Sequence, residues 1–507
     1  MNYQSYKLIT SISGLILLSS CAVMPVPISE KEQKETIAAD KKIIFANQEK
    51  ITKPLTLYEA MARALKHNLE HRVKIMEEAV ADGQSDLTNL TMLPDLVASA
   101  GYRSRDNFSA SSSRAIGTGG QSVGTSTSQD RTRYTADLIF SWNILDFGVS
   151  YFQARQDANK VLIAEESRRK TAQLLMQEVR TAFWRTASTQ QVQGSINTVL
   201  KNARNALNDA RQIEKEKLLP PLEILTYQKN LLEIIRDLEN LVKTLELAKI
   251  ELASLLGLKP GQNFTLAVPK ENLTKLPRLD LNIQKMEELS LQLRPELREE
   301  IYNNRITAEE TYKSILRLLP GIEFNLAYNY DSNSYSLNKD WLNWTGLISQ
   351  NVMELLSAPA VFSHIDAQEA LDELRRLSVY MAVLTQVHLS YSQYLLSEHQ
   401  FKRIEELDHV NQKLEGHMAK LSKNSARSKL EFINVASDAL MSRLQLHEAY
   451  AEMQSALGRV FTSIGLDSLP TEIENHDIET LAQSIEHLDH NWQMGKFISK
   501  QIISGPP

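Results

Sequence analysis

Apolar residues recur at three- and four-residue spacing from 55 to 92, with Leu65, Leu69, Val73, Met76 and Val80 on one helical stripe. Leu93-Pro94 ends that run. A β-like segment, 96–105, comes next, and then 107–131, rich in Ser, Gly and Thr, which has the composition of an exposed loop. Beyond the loop the period changes to two. Tyr134, Ala136, Leu138, Phe140 and Trp142 fall on one face of a strand, with Thr135, Asp137 and Ser141 on the other. Gly148 permits a tight turn into a helix over 150–218. This segment holds no Pro and a single Gly, which predicts a rod of about 100 Å at roughly 1.5 Å per residue. Pro220-Pro221 breaks it, and a second helix runs from 222 to 256, closed by Gly257 and by Lys259-Pro260-Gly261. Its stripe is Leu231, Ile235, Leu238, Val242, Leu245, Ala248, Leu252 and Leu255, the stepping of a coiled-coil seam. Periodicity alone leaves open a solvent-facing antiparallel hairpin whose only duty is length.

The same pattern then repeats. Glu70, Arg72, Ile75, Leu93-Pro94 and Tyr102 recur as Glu296, Arg298, Ile301, Leu319-Pro320 and Tyr328, a shift of 226. After the first loop the shift is 208. Ser141, Asn143 and Arg168 match Ser349, Asn351 and Arg376, Leu222-Glu223 matches Leu430-Glu431, and Gly257-Leu258 matches Gly465-Leu466. The change between the two shifts falls between paired strands, so it measures a longer first loop. Each copy therefore reads helix, strand, loop, strand, long helix, tip, helix. In each copy the short helix and the post-tip helix together match the long helix in length. Stacked end to end, they would run beside it over its full height, as the wall of a tube does.

Composition adds three constraints. The net charge of −6 gives no electrostatic case for a nucleic-acid partner. The apolar run 8–18 behind Lys7 is too short to cross a bilayer and reads as a signal-peptide core, with Leu18-Ser19-Ser20-Cys21 as a lipobox that would lipidate Cys21, the single cysteine. An ordinary signal peptide, or a cytosolic protein with an apolar start, is the competing reading. No later stretch approaches 18 apolar residues, so any membrane span has to be a β-barrel. The four strands, near 96–105, 132–143, 322–332 and 341–352, cannot close one, and two or three chains would be needed. Tyr102, Tyr134, Trp142, Tyr328, Trp341 and Trp344 suit the aromatic girdles of such a barrel, although packing in a sandwich core would use them too.

The lipobox, the twofold repeat, the strand exit Trp142-x-x-Leu145-Asp146-x-Gly148 and the post-tip start Leu222-Glu223-Ile224-Leu225 together resemble the TolC-type outer-membrane efflux proteins over residues 55–467. The resemblance implies a mainly α fold with a transmembrane β-barrel part: a long antiparallel α-helical coiled-coil barrel and four strands per protomer, a twelve-stranded barrel as a homotrimer. It divides the chain into a lipoprotein signal peptide (1–20), a lipidated tether (21–54), a first repeat (55–280), a second repeat (281–467) and a C-terminal equatorial segment (468–507). Ala22, where an Asp would retain a lipoprotein, implies sorting to the outer membrane. The implied function is the passive exit duct of a tripartite efflux or type I secretion system, with a periplasmic adaptor and an inner-membrane transporter as partners and outer-membrane lipid around the barrel. Glu223, Arg427 and Glu431 would gate the periplasmic tip, Arg427 pairing with Glu223 and three copies of Glu431 forming an acidic ring. Leu219, Pro220, Pro221, Asn424 and Ser425 would meet the adaptor. Asn434 stands where the family often has a second acidic residue, and Ser422 where an aromatic latch partner is common.

No phosphate-binding loop, zinc-protease motif, nucleophile elbow or paired-cysteine motif occurs, and no cofactor or metal is implied. His399, His409 and His417 lie in a polar helical stretch. A structural or adhesive coiled-coil lipoprotein accounts for the helices but not for the strands or the repeat. A lipoprotein hydrolase has no candidate nucleophile and base.

Overall fold

The computed structural model describes residues 25–46, 48–114, 116–117, 119–121, 124–218, 220–268, 279–421, 426–467 and 477–496, with the backbone alone at 245 and 426–430. The first repeat comprises α2 (Leu57–His67), α3 (Leu69–Leu90), β1 (Asp95–Ser104), a small hairpin β2 (Ala110–Ser111) and β3 (Ser126–Thr127), β4 (Thr132–Asn143), α4 (Ile144–Lys215) and α5 (Pro221–Leu255). The second comprises α6 (Ile283–Leu293), α7 (Pro295–Leu316), β5 (Gly321–Asp331), β6 (Asp340–Ser349), a short α8 (Val352–Leu356), α9 (Ala358–Leu421) and α10 (Ala426–Ile464). Two helices lie outside the repeat: α1 (Glu30–Ile44), in the stretch read as a polar tether, and α11 (Ile478–Gln493). The repeat, the two long rods and the four strands stand where the sequence places them.

The opening helix of each copy is broken, where the sequence predicts it continuous. In the first copy Asn68 is extended and its side chain accepts from His71 N, so it ends α2 and caps α3. In the second, Arg294 takes the same extended conformation because Pro295 follows it. The break thus obeys the 226-residue shift. Matched pairs elsewhere are caps as well. Asn143 and Asn351 cap the helices that leave the strands. Gly257 and Gly465 are left-handed, with φ of +67° and +81°, and end α5 and α10 with the same pair of bonds: Leu258 N to Ala253 O and Gly257 N to Ser254 O in one, Leu466 N to Phe461 O and Gly465 N to Thr462 O in the other.

Packing follows from these ends. α4 touches α3 above and α5 below on one flank, and α7 above and α10 below on the other; α9 lies beyond α7 and α10. The helices therefore form a wall one layer thick, with the short ones stacked end to end beside α4 as their lengths predict. The buried stripe of α5 (Leu231, Ile235, Leu238, Ala248, Leu252) is the predicted seam. The main core sits at mid-height. It joins α2, the middle of α4 (Val179, Phe183), the ends of α5 and α10 (Leu256, Val460), α6 and the α11 stripe Ile478, Leu481, Ile485, Leu488 and Trp492. Arg180 and Asp489 form a buried ion pair there, and Tyr58 Oη donates to Asp489 at 3.0 Å, so α11 is locked to α2 and α4. Toward the tip the core thins to two small clusters around Ile196 and Leu207, with Ala210 and Ile224 buried beyond them.

A Cβ at Gly465 would lie 2.9 Å from the backbone of Leu293 and Arg294, whereas one at Gly194, inside α4, meets nothing within 4 Å. Gly465→Ala is expected to lower stability by about 2 kcal/mol or more, and Gly194→Ala to raise it by roughly 0.5–1 kcal/mol. Thermal unfolding of the two variants in one detergent checks the contrast in sign.

Candidate functional site: sheet, wall and tip

The strands form one antiparallel sheet in the order β1-β4-β5-β6. Its register sorts every side chain to one of two faces, since directly opposed residues share a face. One face carries Leu96, Ala98, Ala100 and Tyr102 from β1, Tyr134 through Trp142 from β4, Phe324 through Tyr330 from β5, and Leu342, Trp344 and Ile348 from β6. Its one charge among the described strand residues is Asp340, which opposes Tyr330 in the outer tyrosine row and accepts from Tyr328 Oη at 3.2 Å. Trp142, Phe140, Phe324 and Trp344 cluster at the end nearest the helices and Tyr134, Tyr102 and Tyr330 at the other, with Leu138, Ala98 and Leu342 between. Tyr134 and Trp142 are separated by about 27 Å of strand at roughly 3.4 Å per residue. An apolar belt of about 25 Å between aromatic girdles is what a bilayer asks of a barrel exterior. Trp341 is the exception among the predicted girdle residues: it opposes Asn329 on the other face. That second face is polar, with Ser99, Thr135, Asp137, Ser141, Asn325 and Asn343.

Both outer strands of the sheet are open. β1 pairs only with β4 and β6 only with β5. The helices beneath repeat this. α3 follows the wall's β1 side, and its predicted stripe Leu69, Val73, Met76 and Val80 turns away from the protein, Met76 being 61% exposed. On the β6 side, α9 exposes Leu371, Leu374, Met381, Leu389 and Leu396, Leu374 being 65% exposed. Each flank thus presents an unpaired strand above an exposed apolar helix face, and the two flanks are different surfaces.

Between the sheet and the mid-height core the wall is held by polar contacts. Lys313 of α7 is buried against α4, its Nζ donating to Gln153 Oε1 (2.7 Å), Gln156 Oε1 (3.1 Å) and Glu310 Oε2 (2.7 Å). Burial pushes the Glu310 carboxyl up, but the bonds from Lys313 and Gln156 outweigh it and leave it below the ordinary range. Thr88 Oγ1 donates to Asp157 Oδ2 at 2.8 Å and joins α3 to α4. Glu166, buried on α4, receives Arg169 and Arg298; burial outweighs both and raises its carboxyl. Sequence reading missed this ladder because isolated Gln, Thr and Lys look like solvated positions on a long helix.

At the tip, the turn out of α4 is closed by Lys217 N to Glu214 O and Leu218 N to Ile213 O, with Lys217 at φ +55° where glycine is usual. Pro220 and Pro221 then start α5, and Glu223 lies exposed in its first turn. Glu431 is exposed near the start of α10. Arg427 lies in the first turn of α10, and its pairing with Glu223 falls outside the described side chains. Leu219, Ser422, Asn424, Ser425 and the lipidation candidate Cys21 lie outside the described residues.

The tether is fastened before α2. Glu49 receives Lys66 Nζ at 2.6 Å and His67 Nε2 at 2.8 Å, its carbonyl receives Arg63, and Gln48 donates to the carbonyl of Gly257. Partial burial raises the Glu49 carboxyl, but Lys66 and His67 bring it from 4.5 down to about 2. A depressed carboxylate stabilises the folded state above its unfolded value and loses that contribution as pH falls through the folded one. The clip should therefore open between pH 4.5 and about 2. Faster amide exchange of residues 48–51 across that window, and in Glu49→Gln already at neutral pH, is the expected result.

No known family's sequence profile matches the chain, and no curated protein matches it in sequence. Several solved structures share its fold. The outer membrane channel CmeC of Campylobacter jejuni superposes with a TM-score of 0.65 at 10% identity, over 93% of this chain and 98% of that one. The outer-membrane channel OprN gives 0.62 at 16% identity, over 81% and 89%. CusC, described in terms of transmembrane channel formation, gives 0.61 at 15% identity, over 88% and 97%. The architecture is that of these channels across nearly their whole length.

Proposed function

We propose that this chain, folded as those outer-membrane channels are, is the exit duct of a tripartite efflux or type I secretion system. The observation that carries the reading is the two-faced sheet with two open edges set above exposed apolar helix flanks. In hydrocarbon an unpaired strand edge leaves backbone groups unsatisfied, so β1 and β6 must each find a partner strand. The flanks differ, so the contact is head-to-tail and must close as a ring. Three copies give twelve strands, with the apolar, aromatic face toward lipid and the polar face lining a lumen that continues between the helical walls. An adhesive coiled-coil lipoprotein would have no use for an apolar belt between aromatic rows.

In this assembly Cys21 carries lipid anchored in the outer membrane, and residues 30–44 hang beside the wall. The tips, Leu219, Pro220, Pro221, Asn424 and Ser425, meet a periplasmic adaptor and through it an inner-membrane transporter. Arg427 pairs with Glu223 of a neighbouring helix pair to hold the narrow end, and Glu431 rings the entrance. An exposed pair of this kind is worth only about 0–1 kcal/mol alone, so repetition around the ring would set the strength of the latch.

Head-to-tail closure makes a specific demand. Met76→Lys and Leu374→Lys each spoil one flank and should leave protomer stability within about 0.5 kcal/mol. Each alone should abolish the ring, while an equimolar mixture should form a dimer through the two intact flanks. Native mass in mild detergent reads all three; a wild-type chain that is monomeric there would end this proposal. For the entrance, Glu431→Gln should weaken the block of single-channel conductance by a multivalent cation. An unchanged block would remove Glu431 from the gate while leaving the duct intact.

A further inference from the structure

The hairpin of β1 and β4 carries four arginines in the register that opposes them most directly. Arg103 lies across from Arg133, and one rung outward the bond from Arg105 N to Arg131 O, 2.9 Å, sets Arg105 across from Arg131. Alternation puts all four on the polar face. Like charges directly opposed across an antiparallel pair are destabilising, and here two such pairs are adjacent. Compensation within the chain is incomplete. Arg133 Nη1 reaches Asp331 at 3.1 Å, while Arg131 donates to the carbonyl of Asp106 and lies over the Phe108 ring. Asp130 is occupied by the backbone N and Oγ of Ser334, and Asp106, next to Arg105, makes no ion pair among the described residues. Arg103 and Arg105 are exposed and have no ion pair among the described residues. Lys339, whose carbonyl accepts from Asp331 N at 2.7 Å, adds a further cation at this end. The remaining carboxylates of the polar face, Asp95, Asp137 and Glu323, lie toward the helices.

We infer that this cluster is a binding site for multivalent oxyanions, phosphate or sulfate esters, at the outer mouth of the lumen. The inference rests on the duct reading, which turns the polar face inward. Guanidinium groups match such anions bidentately. Two guanidinium groups per chain without a carboxylate, held side by side by strand register, are preorganised for an anion that bridges them, and assembly would multiply them around the mouth. Phosphate could come from dissolved solutes or from lipid headgroups. The cluster shares its face with the lumen and lies opposite the apolar exterior, so a dissolved anion is the occupant.

The test uses the purified full chain in planar bilayers of uncharged lipid, with inorganic tripolyphosphate added to either side. Wild-type channels should be blocked from the side of the strand loops and much less from the helical side. The double variant Arg103→Gln/Arg105→Gln should need at least about tenfold more tripolyphosphate for the same block, as loss of charge-assisted bonds predicts. Removing opposed charges relieves repulsion, so the variant should melt no lower than the wild type, and its conductance in monovalent salt confirms assembly. Conducting wild-type channels that tripolyphosphate does not block, or blocks equally in the variant, would overturn the site. So would a block that appears only when anionic lipid is present. Absence of any wild-type conductance would count against the duct itself.

Discussion

A peptide group left unpaired in hydrocarbon costs several kcal/mol, and each outer strand of this sheet would leave a whole ladder of them. That penalty governs the rest of the molecule. In the proposed duct it makes a lone protomer unfit for a bilayer and calls for the β1 flank of one copy to meet the β6 flank of another. It also explains why α3 and α9 keep their apolar stripes outside the protomer's own core. Those stripes lie on the same two flanks as the open strands, so one association step would pair the strands and bury the helix faces together.

The protomer is accordingly built to be firm in its middle and spare elsewhere. Apolar packing concentrates at mid-height, where α11 adds Trp492 and the buried Arg180–Asp489 pair. Above it, α3, α4 and α7 are joined by Lys313, Gln156, Asp157 and Thr88 instead of a continuous apolar layer. Below it, small apolar clusters and a few exposed polar contacts such as Arg204–Glu239 tie α4 to α5, and the same clusters reach α10. A wall one helix thick cannot hold a deep core, and in the proposed ring neighbouring wall segments would supply much of its cohesion. Rigidity at mid-height then fixes where the strands rise and where the tips descend.

Much of this plan was readable before any coordinates. The alternation from Tyr134 to Trp142 identified both the strand and its apolar face, because period two survives in a strand whose faces meet different solvents. The long rods were readable from missing Pro and Gly, and the repeat from paired caps such as Asn143 with Asn351. The break at Asn68 was hidden, since Leu65, Leu69 and Val73 keep the helical period straight through it. Pro295 and the 226-residue shift did mark the position. The stripe on α3 was legible as a stripe, but periodicity cannot say whether it turns toward its own chain or another. Trp341 shows the complementary error: an aromatic near a strand end suggests a girdle, and only register reveals that it lies on the polar face. Helix α11 carries a readable pattern in Ile478, Leu481, Ile485, Leu488 and Trp492, but it stands outside the repeat that identifies the other helices. At the tip, Glu223 and Glu431 are exposed in the single protomer, and Lys217 adopts the left-handed turn that its sequence gave no reason to expect.

The inequality of the two flanks has a genetic corollary. In the proposed three-membered ring, a copy with one ruined flank still binds through the other and then stops growth, as a dideoxynucleotide stops a polymerase. Cells producing sound and faulty copies in equal amounts would complete only about one-eighth of their rings from sound copies alone. Such alleles should behave as dominant-negative, whereas a lesion confined to the mid-height core would simply be recessive.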